Sequence, residues 1–216
     1  MPLEKGTISM CSSSHSPDRI SVTFDDDHVV TNAGLIQPAT LADHLGPVAY
    51  VRQYAASQRI GVDVADQEIV LHYALELLNQ SGLIGTRPPN TTPGPLLFKG
   101  GTALRKCVFG QSGRFSQDVD LDARYKNGFE AEIESAFAVH SPFYGITFSI
   151  PNFRYSQDDN FSGGVTYSHE NGTGDFELQI SYRLTPILDP VDLVLQEQTY
   201  FARVEFPPPR LHGLDP

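Results

Sequence analysis

Residues 98–106 read Phe-Lys-Gly-Gly-Thr-Ala-Leu-Arg-Lys (FKGGTALRK). The apolar run Pro95-Leu96-Leu97-Phe98 leads in. Two glycines follow, then a hydroxyl, then helix-favouring residues with two cations. That order predicts a strand, a tight turn and a helix start. Bare backbone N–H groups and positive charge at a helix N-terminus suit an anion, commonly a phosphate. The stretch lacks both G-x-x-x-x-G-K-[ST] and G-x-G-x-x-G, so it is neither a P-loop nor a dinucleotide fingerprint.

Charge along the chain sharpens this. The net charge is −11 over 216 residues, which argues against a general nucleic-acid binder. Only the window 99–126 is positive, with Lys99, Arg105, Lys106, Arg114, Arg124 and Lys126 against three aspartates. One basic island in an acidic chain suits a bound phosphate better than a long duplex footprint. Two cysteines, Cys11 and Cys107, form neither a disulfide scaffold nor a metal-ligand spacing. No segment reaches roughly 18 consecutive apolar residues, and residues 1–19 lack the apolar core of a signal peptide. The reading is a soluble, cytoplasmic protein.

Residues 1–45 read as an N-terminal extension, disordered in part, with a Ser-rich and aperiodic start. Residues 32–46 resemble a short stretch near the start of some insertion-element transposases. The extension is either native to the domain or an unrelated fused segment. Residues 46–216 read as one domain, truncated at its C-terminus. In "DQEIVLHYALELLNQSG" the residues Ile69, Val70, Tyr73, Ala74, Leu77 and Leu78 fill one helix face. Asp66 is the expected cap and Gly82 the expected stop. His72, without a His or Cys at ligand spacing, is expected to pack or face solvent.

Downstream, "RFSQDVDLDARY" (114–125) alternates as a strand, and residues 128–140 form an amphipathic helix with Phe129, Ile133, Ala136 and Phe137 inward. "FYGITFSIPNFRYS", "GGVTYSHE" and "DFELQISYRL" read as a β-meander turning at "QDDNFSGG" and "ENGTGD". The fold class is therefore α+β (mixed α/β), a mixed sheet with flanking helices.

The strand "DVDLD" carries the chemistry. Residues two apart share a strand face, so Asp118, Asp120 and Asp122 point one way while Val119 and Leu121 point the other. Close carboxylates repel unless a cation joins them. Hard oxygen ligands favour magnesium, usually shared with substrate phosphates. Coupled to an upstream anion turn, this is the layout of metal-dependent nucleotidyl transfer. Alone, D-x-D would read as a solvated strand face.

"LLFKGGTALRK" followed by "RFSQDVDLD" resembles the AbiEii/AbiGii-type nucleotidyltransferase toxins of the polymerase-beta-like superfamily. The matching positions are Lys99, Gly100, Gly101, Thr102, Leu104, Arg114, Phe115, Ser116, Asp118 and Asp120. The resemblance implies an NTP-dependent toxin of a bacterial toxin–antitoxin or abortive-infection pair. Such a toxin transfers a nucleotide to an RNA 3′ end, as in tRNA, and blocks translation. A separately encoded winged-helix antitoxin is the implied partner. Two departures stand out. Gln179 occupies the place where the family often has a third carboxylate, with Glu177 two residues earlier as the substitute. "RLHGLDP" resembles the lead-in to a C-terminal helical region.

The implied catalytic residues are Asp118, Asp120 and Lys99, with Asp118, Asp120 and Glu177 on magnesium. The implied nucleotide-binding residues are Gly100, Gly101, Thr102, Arg105, Arg114 and Ser116. Lys99 or Arg105 would neutralise the departing pyrophosphate, unless Arg105 and Lys106 lie on the outer face of the helix. His140 and His169 read as structural. Two other readings stay open: an inactive remnant that only binds nucleotide or antitoxin, and a small-molecule nucleotidyltransferase.

Overall fold

The computed structural model describes residues 50–86, 92–125, 129–150, 153–155, 160–182 and 189–214. The chain divides into two units, Met1–Gly46 and Pro47–Pro216. The first unit, with the extension read at 1–45, lies outside the described residues, as does Lys126.

Two helices open the second unit: α1 (Val51–Gln58) and α2 (Val62–Gln80). Helix α1 buries Val51, Tyr54 and Ala55 and ends at Arg59 in the left-handed conformation. Helix α2 starts four residues before the expected cap. Gly61 holds the N-cap position in extended conformation, and Asp66 lies inside the helix. Gly82, at φ +73°, follows its end as expected. All of Glu68 to Asn79 is buried, not one face alone. A helix enclosed on every side must carry apolar residues all round. Here His72 on α2 stacks on Phe206 at 5.4 Å and meets Phe201 at 4.7 Å, so the chain's C-terminal part wraps the side away from the sheet.

The sheet has eight strands: β1 (Leu96–Lys99), β2 (Asp118–Ala123), β3 (Thr147–Ser149), β4 (Phe153–Tyr155), β5 (Asn160–His169), β6 (Gly172–Ser181), β7 (Val191–Leu193) and β8 (Leu211–Gly213). Their order is β3-β5-β6-β2-β1-β8-β7, with β4 paired to β5. β2 and β6 are parallel, as are β1 and β8; the other pairings are antiparallel. The expected strand at 114–125 is shorter, beginning only at Asp118. The segments read as turns at 157–164 and 170–175 are largely strand, since β5 begins at Asn160 and β6 at Gly172. A ten-residue hairpin pairing outweighs the low strand propensity of their glycines. β7 carried no sequence expectation. Residues 211–213, within the stretch that resembles a lead-in to a helical region, form β8, which pairs with β7 and, at Gly213, with β1.

Between β1 and β2 the chain forms helix α3 (Gly100–Ala103), continued by a π-helical turn at Leu104–Phe109. Helix α4 (Glu130–Val139) buries Ile133, Ala136 and Phe137 as expected. One sheet face is apolar: Phe98, Val119, Leu121, Phe161, Val165, Leu178 and Ile180 are fully buried. The opposite face holds the site.

Candidate active site

Pleat parity builds this site. β2 alternates half-buried aspartates with buried Val119, Leu121 and Ala123. Asp118, Asp120 and Asp122 therefore share the open face, as the sequence predicts. Antiparallel pairing with β1 sets Lys99 opposite Asp120. Parallel pairing with β6 sets Glu177 opposite Asp118, Gln179 opposite Asp120 and Ser181 opposite Asp122.

The glycine turn meets this row at its upper end. Gly100 has φ +76°, and a Cβ there would overlap the Asp120 carboxylate. Only glycine permits both the backbone angle and the approach. The Gly101 N–H donates to Asp120. A Cβ on Gly101 would lie 3.2 Å from Ser116 Oγ, so the turn and the Arg114–Ser116 segment are in contact. Arg114 itself is exposed and Ser116 half-buried.

Electrostatics mark Asp120. Burial first, then the Asp118 carboxylate, raise its pKa above the ordinary carboxylate value. Glu177 adds to this, while Lys99 and the Gly101 N–H oppose it. Lys99 Nζ is paired with Asp122. Lys99 therefore faces both Asp122 and Asp120. A divalent cation between Asp118 and Asp120 would relieve their repulsion. Among the described residues no three Asp, Glu, His or Cys side chains form a ready metal-binding group. A cation here would hold the two aspartates and take its other ligands from phosphate or water.

Lys99, Gly100, Gly101, Ser116, Asp118 and Asp120 are thus brought together, with Glu177 at the edge. Two expected ligands are not on this face. The Thr102 side chain is buried, and its hydroxyl donates to the Asp118 carbonyl, tying α3 to the start of β2. Arg105 is 1% exposed. Its guanidinium lies 4.4 Å from the Phe115 ring centre and interacts with the buried Tyr54 hydroxyl. Neither Arg105 nor Lys106 lies on an outer helix face. Lys106 Nζ donates to Glu68 Oε1 at 2.9 Å, to the Glu68 carbonyl at 3.0 Å and to Tyr200 Oη at 3.2 Å. The widened π-helical turn directs both cations inward.

His169 and His140 make packing and pairing contacts away from this face. His169 Nε2 lies 3.0 Å from Asp66 Oδ1, and Tyr167 Oη donates to Asp66 Oδ2 at 3.0 Å, pinning β5 to α2. His140 packs on Phe143. Sequence reading missed Asn160, Gln179 and Ser181 as site residues. The alternation Glu177, Gln179, Ser181 in "DFELQIS" was visible, but their neighbours across the sheet were not.

Residues 87–212 match the family described as nucleotidyl transferase AbiEii toxin, type IV toxin–antitoxin system. No curated protein matches the chain. Among solved structures, the chain is similar to MenT4, a nucleotidyltransferase toxin from Mycobacterium tuberculosis H37Rv. The TM-score is 0.61 at 24% identity, covering 78% of this chain and 54% of that one. This likeness establishes a shared fold. Looser likenesses link it to two Helicobacter pylori proteins. One is described as a nucleotidyltransferase (TM-score 0.38, 24% identity, 59% and 49% covered) and the other is JHP933 (0.41, 21%, 70% and 52%). The chain spans about half the length of each of these structures.

Proposed function

The chain belongs to the AbiEii nucleotidyl transferase toxin family, and we propose that it transfers a nucleotide from an NTP to an RNA 3′ end. The observation that carries this reading is the Asp118–Asp120 pair on the open face of β2, set against the Gly100–Gly101 turn that packs on Asp120. The turn and Ser116 receive the β- and γ-phosphates, and exposed Arg114 closes on them. Asp118 and Asp120 would hold magnesium, with Glu177 as the adjoining carboxylate. When bound, such an ion would acidify the acceptor hydroxyl and stabilise charge on the phosphate under attack.

Lys99 sits beside the α-phosphate and offsets charge that develops on the departing group. The acceptor oxygen bonds to the α-phosphorus while the α–β phosphoanhydride bond breaks. Pyrophosphate leaves, and the hydroxyl proton passes to water. Thr102 and Arg105 act at one remove: Thr102 anchors Asp118, and Arg105 supports Phe115 in the segment leading to it.

In the cell the same chemistry on the tRNA acceptor end would block translation, in the cytoplasm, under restraint by a winged-helix antitoxin encoded nearby. Among the described residues no helix is long and apolar enough to cross a membrane.

The test is nucleotide incorporation. Full-length protein, magnesium and total tRNA are incubated with each labelled NTP, beside an Asp118→Ala/Asp120→Ala control. We expect label from one or more NTPs that disappears in the control. Folded protein giving no label with any NTP would overturn the transferase reading. The second reading, a binding-only protein, would then stand, supported by Gln179 opposite Asp120 where a carboxylate would complete the row.

A further inference from the structure

Beside Asp120 the open face sinks into a cavity of about 260 Å³, lined by Lys99, Asp120, Asn160, Gln179 and Ser181, with Leu121 and Ile180. The two apolar residues are fully buried on the opposite face, so the polar five supply the chemistry. Register explains the grouping. Gln179 pairs with Asp120, and Ser181 pairs with Asp122 on one side and Asn160 on the other. The glycine turn lies toward the Asp118 end of β2, because β1 runs antiparallel and the turn follows Lys99. The cavity reaches toward the Asp122 end. Turn and cavity therefore flank the aspartate pair from opposite ends.

Charge restricts what fits. The one cation of the cavity, Lys99, is already paired with Asp122. A phosphate held in this cavity would share Lys99 with Asp122 while facing Asp120, two carboxylates against one lysine. Asn160, Gln179 and Ser181 instead offer neutral donors and acceptors. Asn160 Oδ1 is buried with no hydrogen-bond partner among the described residues. A buried acceptor in that state calls for a donor, and a sugar hydroxyl is a neutral one.

Direction of attack gives the place of that sugar. In phosphoryl transfer the attacking and leaving oxygens lie roughly in line. With pyrophosphate departing over the glycine turn, the acceptor hydroxyl enters from the cavity end. We infer that this cavity is the acceptor subsite. It takes the terminal ribose of a polynucleotide with both vicinal hydroxyls free. Asn160 and Gln179 bind the hydroxyl that distinguishes RNA from DNA. The inference rests on the nucleotidyl-transfer reading above.

The experiment measures binding, not turnover. A 5′-fluorescein single-stranded RNA ending in a free cis-diol is compared by anisotropy with the same RNA ending in a 2′-deoxynucleotide. Both are titrated with full-length protein, in magnesium at low salt and without NTP. Binding of ATP, CTP, GTP and UTP is measured separately by calorimetry. The cis-diol end should bind about tenfold tighter or more. Asn160→Ala and Gln179→Ala should each erase most of that ratio while NTP affinity stays within about twofold. Gln179 is exposed, so Gln179→Ala keeps the test decisive if Asn160→Ala fails to fold. Equal affinity for the two ends overturns the inference alone, as does no RNA binding by a protein that binds an NTP. Variants that weaken NTP and spare RNA would move the cavity to the NTP's own nucleoside. A wild-type protein that binds no NTP removes the transferase reading and this subsite with it.

Discussion

Lys99 and Lys106 stand seven residues apart, and each pairs with a carboxylate. Their surroundings differ. The Lys99–Asp122 pair keeps side-chain exposures of 30% and 15%, whereas Lys106–Glu68 has 2% and 1%. Lys99 lies on the open sheet face beside Asp120. Lys106 is enclosed by α2 and Tyr200. A pair that solvent still reaches is weaker and can be exchanged for a ligand. A buried pair is held by the cost of stranding either partner, and so fixes the fold. One short basic island thus contains one cation beside the candidate site and one enclosed in the core.

Breaking the buried pair should have the largest effect. Lys106→Met leaves Glu68 buried without its cation, with the Tyr200 hydroxyl as its remaining partner, and should cost about 3–5 kcal/mol in chemical denaturation. Adding Glu68→Leu should return most of it. If the double variant is no more stable than Lys106→Met, the buried pair does not play this role.

Gly100→Ala tests the turn that joins the two environments. Left-handed backbone costs about 1–2 kcal/mol for a residue with a Cβ, and the methyl would also displace the Asp120 carboxylate. We expect a lower melting temperature together with loss of NTP binding. Unchanged NTP binding would separate the turn from the nucleotide.

His72 gives the buried side a pH signature. Burial, then the charge of Lys106, hold its pKa well below the usual 6.5. The unfolded chain therefore binds more protons as pH falls below about 6.5. Stability is complete above that pH and is lost as pH drops toward the folded value. Both ring nitrogens lack hydrogen-bond partners among the described residues. His72→Phe should retain the stacking on Phe206, gain up to about 1 kcal/mol at neutral pH and flatten the acid slope. A slope identical to wild type would assign the acid sensitivity elsewhere.

Lys99→Ala should move stability least, by about 1 kcal/mol or less, while nucleotide transfer falls at least about tenfold. Loss of stability without loss of transfer would reverse the roles given to the two lysines.

The sequence by itself determined the local devices. Alternation in "DVDLD" set three aspartates on one face and Val119 and Leu121 on the other. Two glycines after an apolar strand announced the turn. These signals need only neighbours within a few residues, because strand parity and positive φ are properties of short backbone segments. Tertiary structure decided the rest. Parallel pairing of β2 with β6 brought Glu177 and Gln179, far along the chain, beside Asp118 and Asp120. The β5–β6 hairpin then carried Asn160 to Ser181. The π-helical turn drove Arg105 and Lys106 inward, where helical spacing had left their direction open. Burial on all sides of α2 came from the C-terminal residues Phe201 and Phe206, well over a hundred positions away. Such contacts depend on which strands meet and in what register, and that is chosen by the burial of the whole apolar face rather than by any single segment.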